Sequence, residues 1–336
     1  MITTLLTRMF DLQHPIVLAP MGNVSGGRLA AAVSNAGALG MVGAGYGDYD
    51  WLKAQLSLVT RETTRPWGLG FITWSVSQRI LDMALAHRPH AVMLSFGDPR
   101  PYASAIKAAG CKLICQVQNL EQARLACEAQ SDLIVAQGAE AGGHGALRST
   151  LPLVPAVVDA VHPLPVLAAG GIADGRGLAA ALMLGAQGAL IGTRFYASTE
   201  ALGAAQAKER IVAANGDGTR RTRVFDLVRG YAWPGRFTGR ALRNRFLERW
   251  HEREDELAKV LYAEREAYQA AAHAGDCDTA VVWAGEAVDM IRGIEDAATL
   301  VRRIGSEAQA RLNACRDLLN THGTQSTASG MRADSH

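Results

Sequence analysis

Residues 165–193, PVLAAGGIADGRGLAAALMLGAQGALIGT, contain one complete strand, loop, helix and strand unit. The runs 165–171 and 188–193 are short and apolar at consecutive positions, as in parallel strands that are buried on both faces. Between them, Asp174 precedes an Ala- and Leu-rich segment that ends near 184, and Asp is a favoured helix N-cap. The stretch therefore predicts two parallel strands joined by a helix.

The same unit recurs along the first two-thirds of the chain. Strands are predicted at 15–20, 39–44, 67–72, 90–96, 112–117, 132–137, 165–171 and 188–193, with helices between them at 26–36, 76–88, 100–109, 119–129, 152–161 and 174–184. Eight strands with helical crossovers indicate an α/β fold, a closed (β/α)8 TIM barrel. An open doubly wound sheet is the alternative arrangement.

Beyond the repeats the chain changes character. The sequence predicts a barrel domain at 1–214, a mostly helical C-terminal segment at 215–320 that packs on the barrel mouth, and a disordered tail at 321–336. Single helices are predicted at 246–274 and 283–313. Residues 219–249 hold nine arginines, which we interpret as a solvated, salt-bridged face; contact with a cofactor or carrier phosphate is the alternative.

Composition excludes some classes of partner. The formal net charge of the 336 residues is +2, which gives no reason to expect nucleic acid or an anionic membrane. The N-terminus resembles neither a signal peptide nor a membrane span, and the five cysteines suit reduced thiols. We therefore expect a cytoplasmic protein with a small-molecule substrate, and a homodimer is compatible with the sequence.

Glycine-rich segments follow the predicted strands at the end of a TIM barrel where active sites lie. Gly170 and Gly171 follow the seventh strand, and Gly192 and Thr193 follow the eighth. Bare amides and a hydroxyl after these two strands are typical of a phosphate site. The alternative is that the glycines only permit tight turns or close helix packing.

His144 follows the sixth strand, in QGAEAGGHG at 137–145. A neutral imidazole there could accept a proton at physiological pH, whereas a structural or surface histidine is the alternative. The chain has no Walker motif, no GxSxG and no metal-ligand pattern. Together these features favour a mononucleotide cofactor with a flat ring over the barrel mouth, and no metal.

Four segments resemble those of the nitronate monooxygenases, formerly called 2-nitropropane dioxygenases: PIVLAPMG, AQGAEAGGHG, VLAAGGIADGRGLAAALMLGAQGALIGTRF and WAGEAVDMIRGI. The resemblance covers about residues 10–310. It implies a TIM barrel that binds FMN without covalent attachment and oxidises alkyl nitronates, or neutral nitroalkanes, with O2 to a carbonyl compound and nitrite.

The resemblance also implies roles for individual residues. It implies that His144 is catalytic, as a base or as a polar partner of the nitronate, and that the cofactor is bound by Pro20, Met21, Gly22, Gln137, Gly142, Gly170, Gly171, Gly192 and Thr193. Many relatives have an Asn after the third strand, where this chain has Gly70 or Phe71. The cofactor ring is therefore expected to be held differently at that position.

Two other functions are compatible with the same motifs. One is an FMN-dependent NAD(P)H reductase of the enoyl-acyl-carrier-protein or quinone reductase type, which shares the barrel and a similar GGH motif. The other is a non-catalytic barrel that binds a phosphate ligand. Bleaching of the flavin by NADH or by a nitronate would separate the first from the proposed monooxygenase.

Overall fold

The computed structural model describes residues 1–320, so the tail predicted at 321–336 lies outside the described residues. The strands are β1 (Ile16–Leu18), β2 (Gly40–Gly43), β3 (Trp67–Ile72), β4 (Ala91–Ser95), β5 (Lys112–Val117), β6 (Leu133–Gln137), β7 (Gly143–Gly145), β8 (Val166–Ala169), β9 (Ala189–Ile191), β10 (Thr219–Thr222) and β11 (Thr238–Leu242). All eight predicted barrel strands are present, with ends within a few residues of those predicted.

The helices up to residue 213 are α1 (Leu5–Phe10), α2 (Gly27–Asn35), α3 (Tyr49–Glu62), α4 (Gln78–Leu85), α5 (Arg100–Ala108), α6 (Leu120–Glu128), α7 (Thr150–Val161), α8 (Gly175–Met183), α9 (Thr193–Tyr196) and α10 (Ala205–Ala213). Those that follow are α11 (Val224–Arg229), α12 (Arg245–Trp250), α13 (Glu254–Lys259), α14 (Leu261–Ala274) and α15 (Ala297–Asn320). The Asp174 side chain caps α8 as predicted, accepting hydrogen bonds from the amides of Arg176 and Gly177.

Eight parallel strands form one sheet in the order β1-β9-β8-β6-β5-β4-β3-β2. The two edge strands meet as well, because the Leu18 amide donates to the Leu39 carbonyl at 2.9 Å and the Leu39 amide to the Ile16 carbonyl at 3.0 Å. The predicted TIM barrel with a C-terminal helical appendage is therefore confirmed. Its strands are buried along nearly their whole length, as their consecutive apolar residues predict.

The last helix of the barrel wall comes from the end of the chain. Helix α15 packs against α8 and α2, and Glu307 accepts a hydrogen bond of 3.0 Å from the Gly175 amide at the start of α8. Residues 215–296, which we call the insertion, therefore leave the barrel after α10 and return to it at α15.

The insertion has its own small core and shares a sheet with the barrel. Strand β11 pairs antiparallel with both β10 and β7, the short strand that carries His144. Behind this sheet lies an apolar cluster that consists of Val224, Phe225, Val228, Ala241, Phe246, Leu247, Trp250, Leu257 and Tyr268. The insertion is thereby held directly over the strand that carries the candidate catalytic residue.

Both helices predicted in the C-terminal region begin or end differently in the structure. The single helix predicted at 246–274 is wrong, because extended backbone at His251 and a φ of 62° at Glu252 end α12. The helix predicted at 283–313 begins only at Ala297. Asp296 accepts from the Thr299 amide at 2.8 Å and caps that start.

Candidate active site

A cavity opens at the carboxyl ends of the barrel strands, between the barrel and the insertion. It contains about 1340 Å³ of space without protein atoms, its open side included. The residues predicted to bind the cofactor or to act in catalysis all line it: Pro20, Met21, Gly22, Gln137, Gly142, His144, Gly170, Gly171, Gly192 and Thr193. The structure therefore brings the predicted residues together, while the role of each one stays a prediction.

Three backbone N–H groups are free on the side of the cavity formed by the ends of β8 and β9. Within residues 1–320, the amides of Gly171, Gly192 and Thr193 donate no hydrogen bond, whereas the Gly170 amide faces Leu190 in the β8–β9 pairing. Gly170 and Gly171 have φ values of 101° and 72°, which disfavour any residue with a side chain. The Thr193 hydroxyl accepts from the Gly285 amide at 3.0 Å, so its own hydrogen remains available. These donors can receive an anion such as a phosphate.

The segment Pro20–Gly22 lies against the ends of β2 and β3. A Cβ on Gly70 would overlap the Pro20 ring, and a Cβ on Gly43 would overlap the Met21 backbone. The Ser25 hydroxyl accepts from the Met21 amide at 2.6 Å and fixes the turn. Gly70 is thus required by packing, and an Asn cannot stand there without moving Pro20.

Gln137 uses its side chain to hold other protein groups. Its Nε2 donates to the His144 carbonyl at 3.0 Å, and its Oε1 accepts from the side-chain amides of Gln118 at 2.9 Å and Gln116 at 3.2 Å. This network of buried amides fixes the backbone at His144. Gln116 also lines the cavity, and the sequence had given no reason to select it.

The two glycines before His144 differ in their surroundings and in their backbone conformation. A Cβ on Gly142 would come within 2.6 Å of the Gly285 amide nitrogen, so the residue is required by packing against the insertion. Gly143 has a φ of 69° and open space around it. The nearby Glu140 carboxylate accepts hydrogen bonds from the Thr150 amide at 3.0 Å and from the Thr150 hydroxyl at 2.9 Å. Its oxygens are therefore used at the start of α7.

Three contacts hold His144 in place, two through its ring and one through its backbone. Its Nε2 lies 2.9 Å from both carboxylate oxygens of Asp226, a residue of α11 in the insertion. Its ring stacks on Trp233 with a centroid distance of 3.5 Å and an interplanar angle of 4°. Its backbone pairs with Gly239 of β11. The imidazole is therefore fixed in position by residues of the insertion, with 9% of the residue exposed.

Burial lowers the pKa of His144 below its ordinary value, because loss of water disfavours the charged form. The hydrogen bond and the charge of Asp226 act in the opposite direction, and Arg229 and Arg221 lower the pKa further. A neutral imidazole whose Nε2–H donates to Asp226 keeps its lone pair on Nδ1. Within the described chain Nδ1 has no hydrogen-bond partner, and it is not among the enclosed polar atoms. It is therefore free to accept a proton from a molecule in the cavity.

Aromatic side chains form the wall beside His144. The Trp233 indole N–H donates to the Tyr46 hydroxyl at 2.9 Å, and the Tyr46 ring stacks on Tyr231 at 3.6 Å. Burial raises the pKa of Tyr46 to about 12, so its hydroxyl remains protonated at neutral pH. The wall is aromatic, and Trp233 covers one face of the imidazole. Its sequence signal was the aromatic spacing in YAWPGRF at 231–237.

The arginine-rich segment is not a uniformly solvated face, so that interpretation is wrong for three of its members. Arg221 and Arg240 lie inward and both donate to the Ala139 carbonyl, at 3.1 and 3.0 Å. Burial lowers the pKa of Arg221 to about 10. Arg229 lines the cavity. Surface ion pairs hold others, such as Arg243 with Glu248 at 2.9 Å.

In the described part of the chain, no group of three or more His, Cys, Asp or Glu side chains could hold a metal ion. Among residues 1–320, no helix is both long and apolar enough to pass through a bilayer.

Comparisons with known proteins agree with this geometry. The profile of a family described as nitronate monooxygenase matches residues 3–74 and 70–307. A nitronate monooxygenase of Metarhizium robertsii is 35% identical over 338 residues, which cover 90% of this chain and 93% of the relative.

Two solved structures are similar over nearly the whole chain. FabK from Thermotoga maritima has a TM-score of 0.85 and 31% identity, with 95% of this chain and 100% of that chain covered. A nitroalkane oxidase from Streptomyces ansochromogenes has a TM-score of 0.79 and 30% identity, with coverages of 92% and 99%. The similarity therefore includes the insertion as well as the barrel.

Proposed function

The chain belongs to the nitronate monooxygenase family of flavin-dependent oxidoreductases, and on that premise we propose that it uses FMN and O2 to oxidise alkyl nitronates to a carbonyl compound and nitrite. Neutral nitroalkanes are included in the proposal as substrates that lose a proton first. One observation carries it: a buried imidazole with a lowered pKa and a free Nδ1 lines the same cavity as three unpaired backbone amides.

The cavity fits a flavin mononucleotide. The free amides of Gly171, Gly192 and Thr193, with the Thr193 hydroxyl, are suited to a terminal phosphate. Pro20, Met21 and Gly22 line the cavity as one short segment, against which a flat ring could lie. When bound, the flavin supplies the acceptor for the electrons that the nitronate loses.

His144 is proposed as the proton acceptor for a neutral nitroalkane. Its Nδ1 takes the proton from the carbon next to the nitro group, and the Asp226 carboxylate stabilises the imidazolium that forms. Burial favours the neutral base before the reaction. A preformed nitronate has already lost this proton, so its oxidation does not need the base.

Three substrates compared side by side test the proposed function. O2 uptake by the purified yellow protein is measured with ethyl nitronate, nitroethane and NADH. We expect uptake with ethyl nitronate, with nitrite as a product, and little oxidation of NADH. Rapid NADH oxidation without nitronate turnover would favour the reductase, and failure to bind FMN would favour a phosphate-ligand barrel.

A further inference from the structure

Arg229 is a charged side chain in the cavity wall whose guanidinium has no directly bonded partner among the described residues. It is the last residue of α11 and lines the cavity together with His144. Among residues 1–320, its guanidinium makes no hydrogen bond and no ion pair; its Nη1 is enclosed by the protein, whereas its Nε and Nη2 are not. An arginine in such a position has N–H donors that the folded chain leaves unused.

Aromatic rings surround this guanidinium. Its central carbon lies 4.7 Å from the ring centre of Tyr231, 5.7 Å from that of Tyr46 and 6.0 Å from that of Trp283. The rings attract the cation through their faces. They offer no carboxylate or carbonyl oxygen to the N–H groups in the plane of the guanidinium, so the demand for an oxygen acceptor remains.

The position of Arg229 on α11 relates it to the candidate base. Asp226 precedes it by three residues, so both lie on neighbouring turns of one side of the helix. Asp226 is occupied by His144, with both carboxylate oxygens 2.9 Å from Nε2. One short helix thus orients the imidazole with an acid and places an unpaired cation in the same cavity.

We propose that Arg229 is the anion-binding residue of the substrate site, and that its guanidinium receives the paired oxygens of a nitronate or nitro group. This inference rests on the proposed function and deepens it. A planar group with two oxygens matches the fork of N–H donors on a guanidinium. The carbon chain of the substrate then lies against the aromatic wall, so small nitronates with apolar chains are the substrate class that this site selects.

The Arg229 proposal can be tested with nitrate, a planar anion that the enzyme does not oxidise. Binding of sodium nitrate to the FMN-loaded protein is measured by calorimetry for the wild type and for Arg229→Met, Arg229→Lys and Arg223→Met. We expect Arg229→Met to weaken binding about 10- to 100-fold, since a bidentate charged contact is lost. Arg229→Lys keeps the charge without the fork and should be intermediate. Arg223 is the exposed residue directly before α11, and its variant should bind as the wild type does.

Kinetics provide a second readout. Arg229→Met should raise the KM for ethyl nitronate, and the bound FMN, measured by its absorbance, should be unchanged. Wild-type affinity for nitrate in Arg229→Met would overturn the proposal, as would a wild type that oxidises nitronates without binding nitrate. If nitrate binding depends on Arg229 but ethyl nitronate is not oxidised, the anion site stands and the proposed reaction fails.

Discussion

The two sides of the cavity are built from different kinds of groups. At the ends of β8 and β9 the barrel offers backbone N–H groups and one hydroxyl, from Gly171, Gly192 and Thr193. Around His144 the insertion offers side chains, chiefly Asp226 and Trp233, which hold the imidazole. The barrel side suits a bound phosphate, and the insertion side suits proton transfer.

This difference separates cofactor binding from acid–base chemistry. Backbone amides on the barrel side do not titrate, so their affinity for a phosphate does not depend on the state of His144. The imidazole depends on burial under the insertion for its lowered pKa. Substitutions on one side should therefore leave the property of the other side nearly unchanged.

The largest effect is expected from His144→Asn. Without the imidazole, turnover of nitroethane should fall about 10²- to 10⁴-fold, the usual contribution of a positioned base. Ethyl nitronate has no proton to lose and should retain much of its turnover. Steady-state O2 uptake with both substrates measures the two effects.

His273→Asn is the matched control, because His273 is exposed on α14, and it should behave as the wild type does. FMN content should be normal in both variants. Equal losses on nitroethane and ethyl nitronate in His144→Asn would contradict the role of proton acceptor, and a loss of FMN would show that the two sides of the cavity are coupled.

Asp226→Asn should have the next largest effect, about 10²-fold on nitroethane turnover at pH 7. The substitution removes the carboxylate that selects the Nε2–H form of His144 and stabilises its imidazolium. The measurement is the dependence of kcat/KM for nitroethane on pH, compared with that of the wild type.

The direction of the pH effect follows from the factors that shift the pKa of His144. The wild-type pKa is lowered, so activity should persist below pH 6.5, the ordinary pKa of histidine, and fall only as the pH passes the lowered value. Asp226 opposes this lowering. In Asp226→Asn the fall should move to still lower pH, and a move to higher pH would show that Asp226 does not act on His144 as described.

A smaller effect is expected on the barrel side from Thr193→Val. The change removes the hydroxyl that can donate to a phosphate and that accepts from the Gly285 amide at 3.0 Å. The dissociation constant of FMN, measured by quenching of its fluorescence, should rise about 10-fold. Thr193→Ser keeps the hydroxyl and should bind FMN as the wild type does.

With saturating FMN, Thr193→Val should keep the wild-type ratio of nitroethane to ethyl nitronate turnover. An unchanged affinity for FMN would place the phosphate elsewhere. A changed ratio would instead show that the two sides of the cavity are coupled.

The barrel side was predictable from the sequence because its pattern is local. Consecutive apolar residues predicted the strands. Glycines directly after the seventh and eighth predicted strands, which are β8 and β9 in the structure, predicted free amides at the cavity. Gly142 shows the limit of such reasoning. Its glycine is required by contact with Gly285, more than a hundred residues away in the chain, and no local pattern indicates that contact.

The insertion side could not be predicted in the same way. Asp226 is the one charged residue in the apolar segment VFDLV at 224–228. An acid among apolar residues was the available sign that its carboxylate has a buried partner. Its pairing with His144 depends on the antiparallel contact of β11 with β7. Arg229 looked like one more residue of a charged surface until its aromatic surroundings were known.

The protonation state of His144 tests the central claim most directly. NMR of protein labelled with ¹⁵N in its histidines, with the His144 signals assigned by their loss in His144→Asn, reports which ring nitrogen carries hydrogen across a pH titration. We predict a neutral ring with hydrogen on Nε2 at pH 7, which becomes protonated only below pH 6.5. A charged imidazolium at pH 7, or hydrogen on Nδ1, would contradict a base held ready by the insertion.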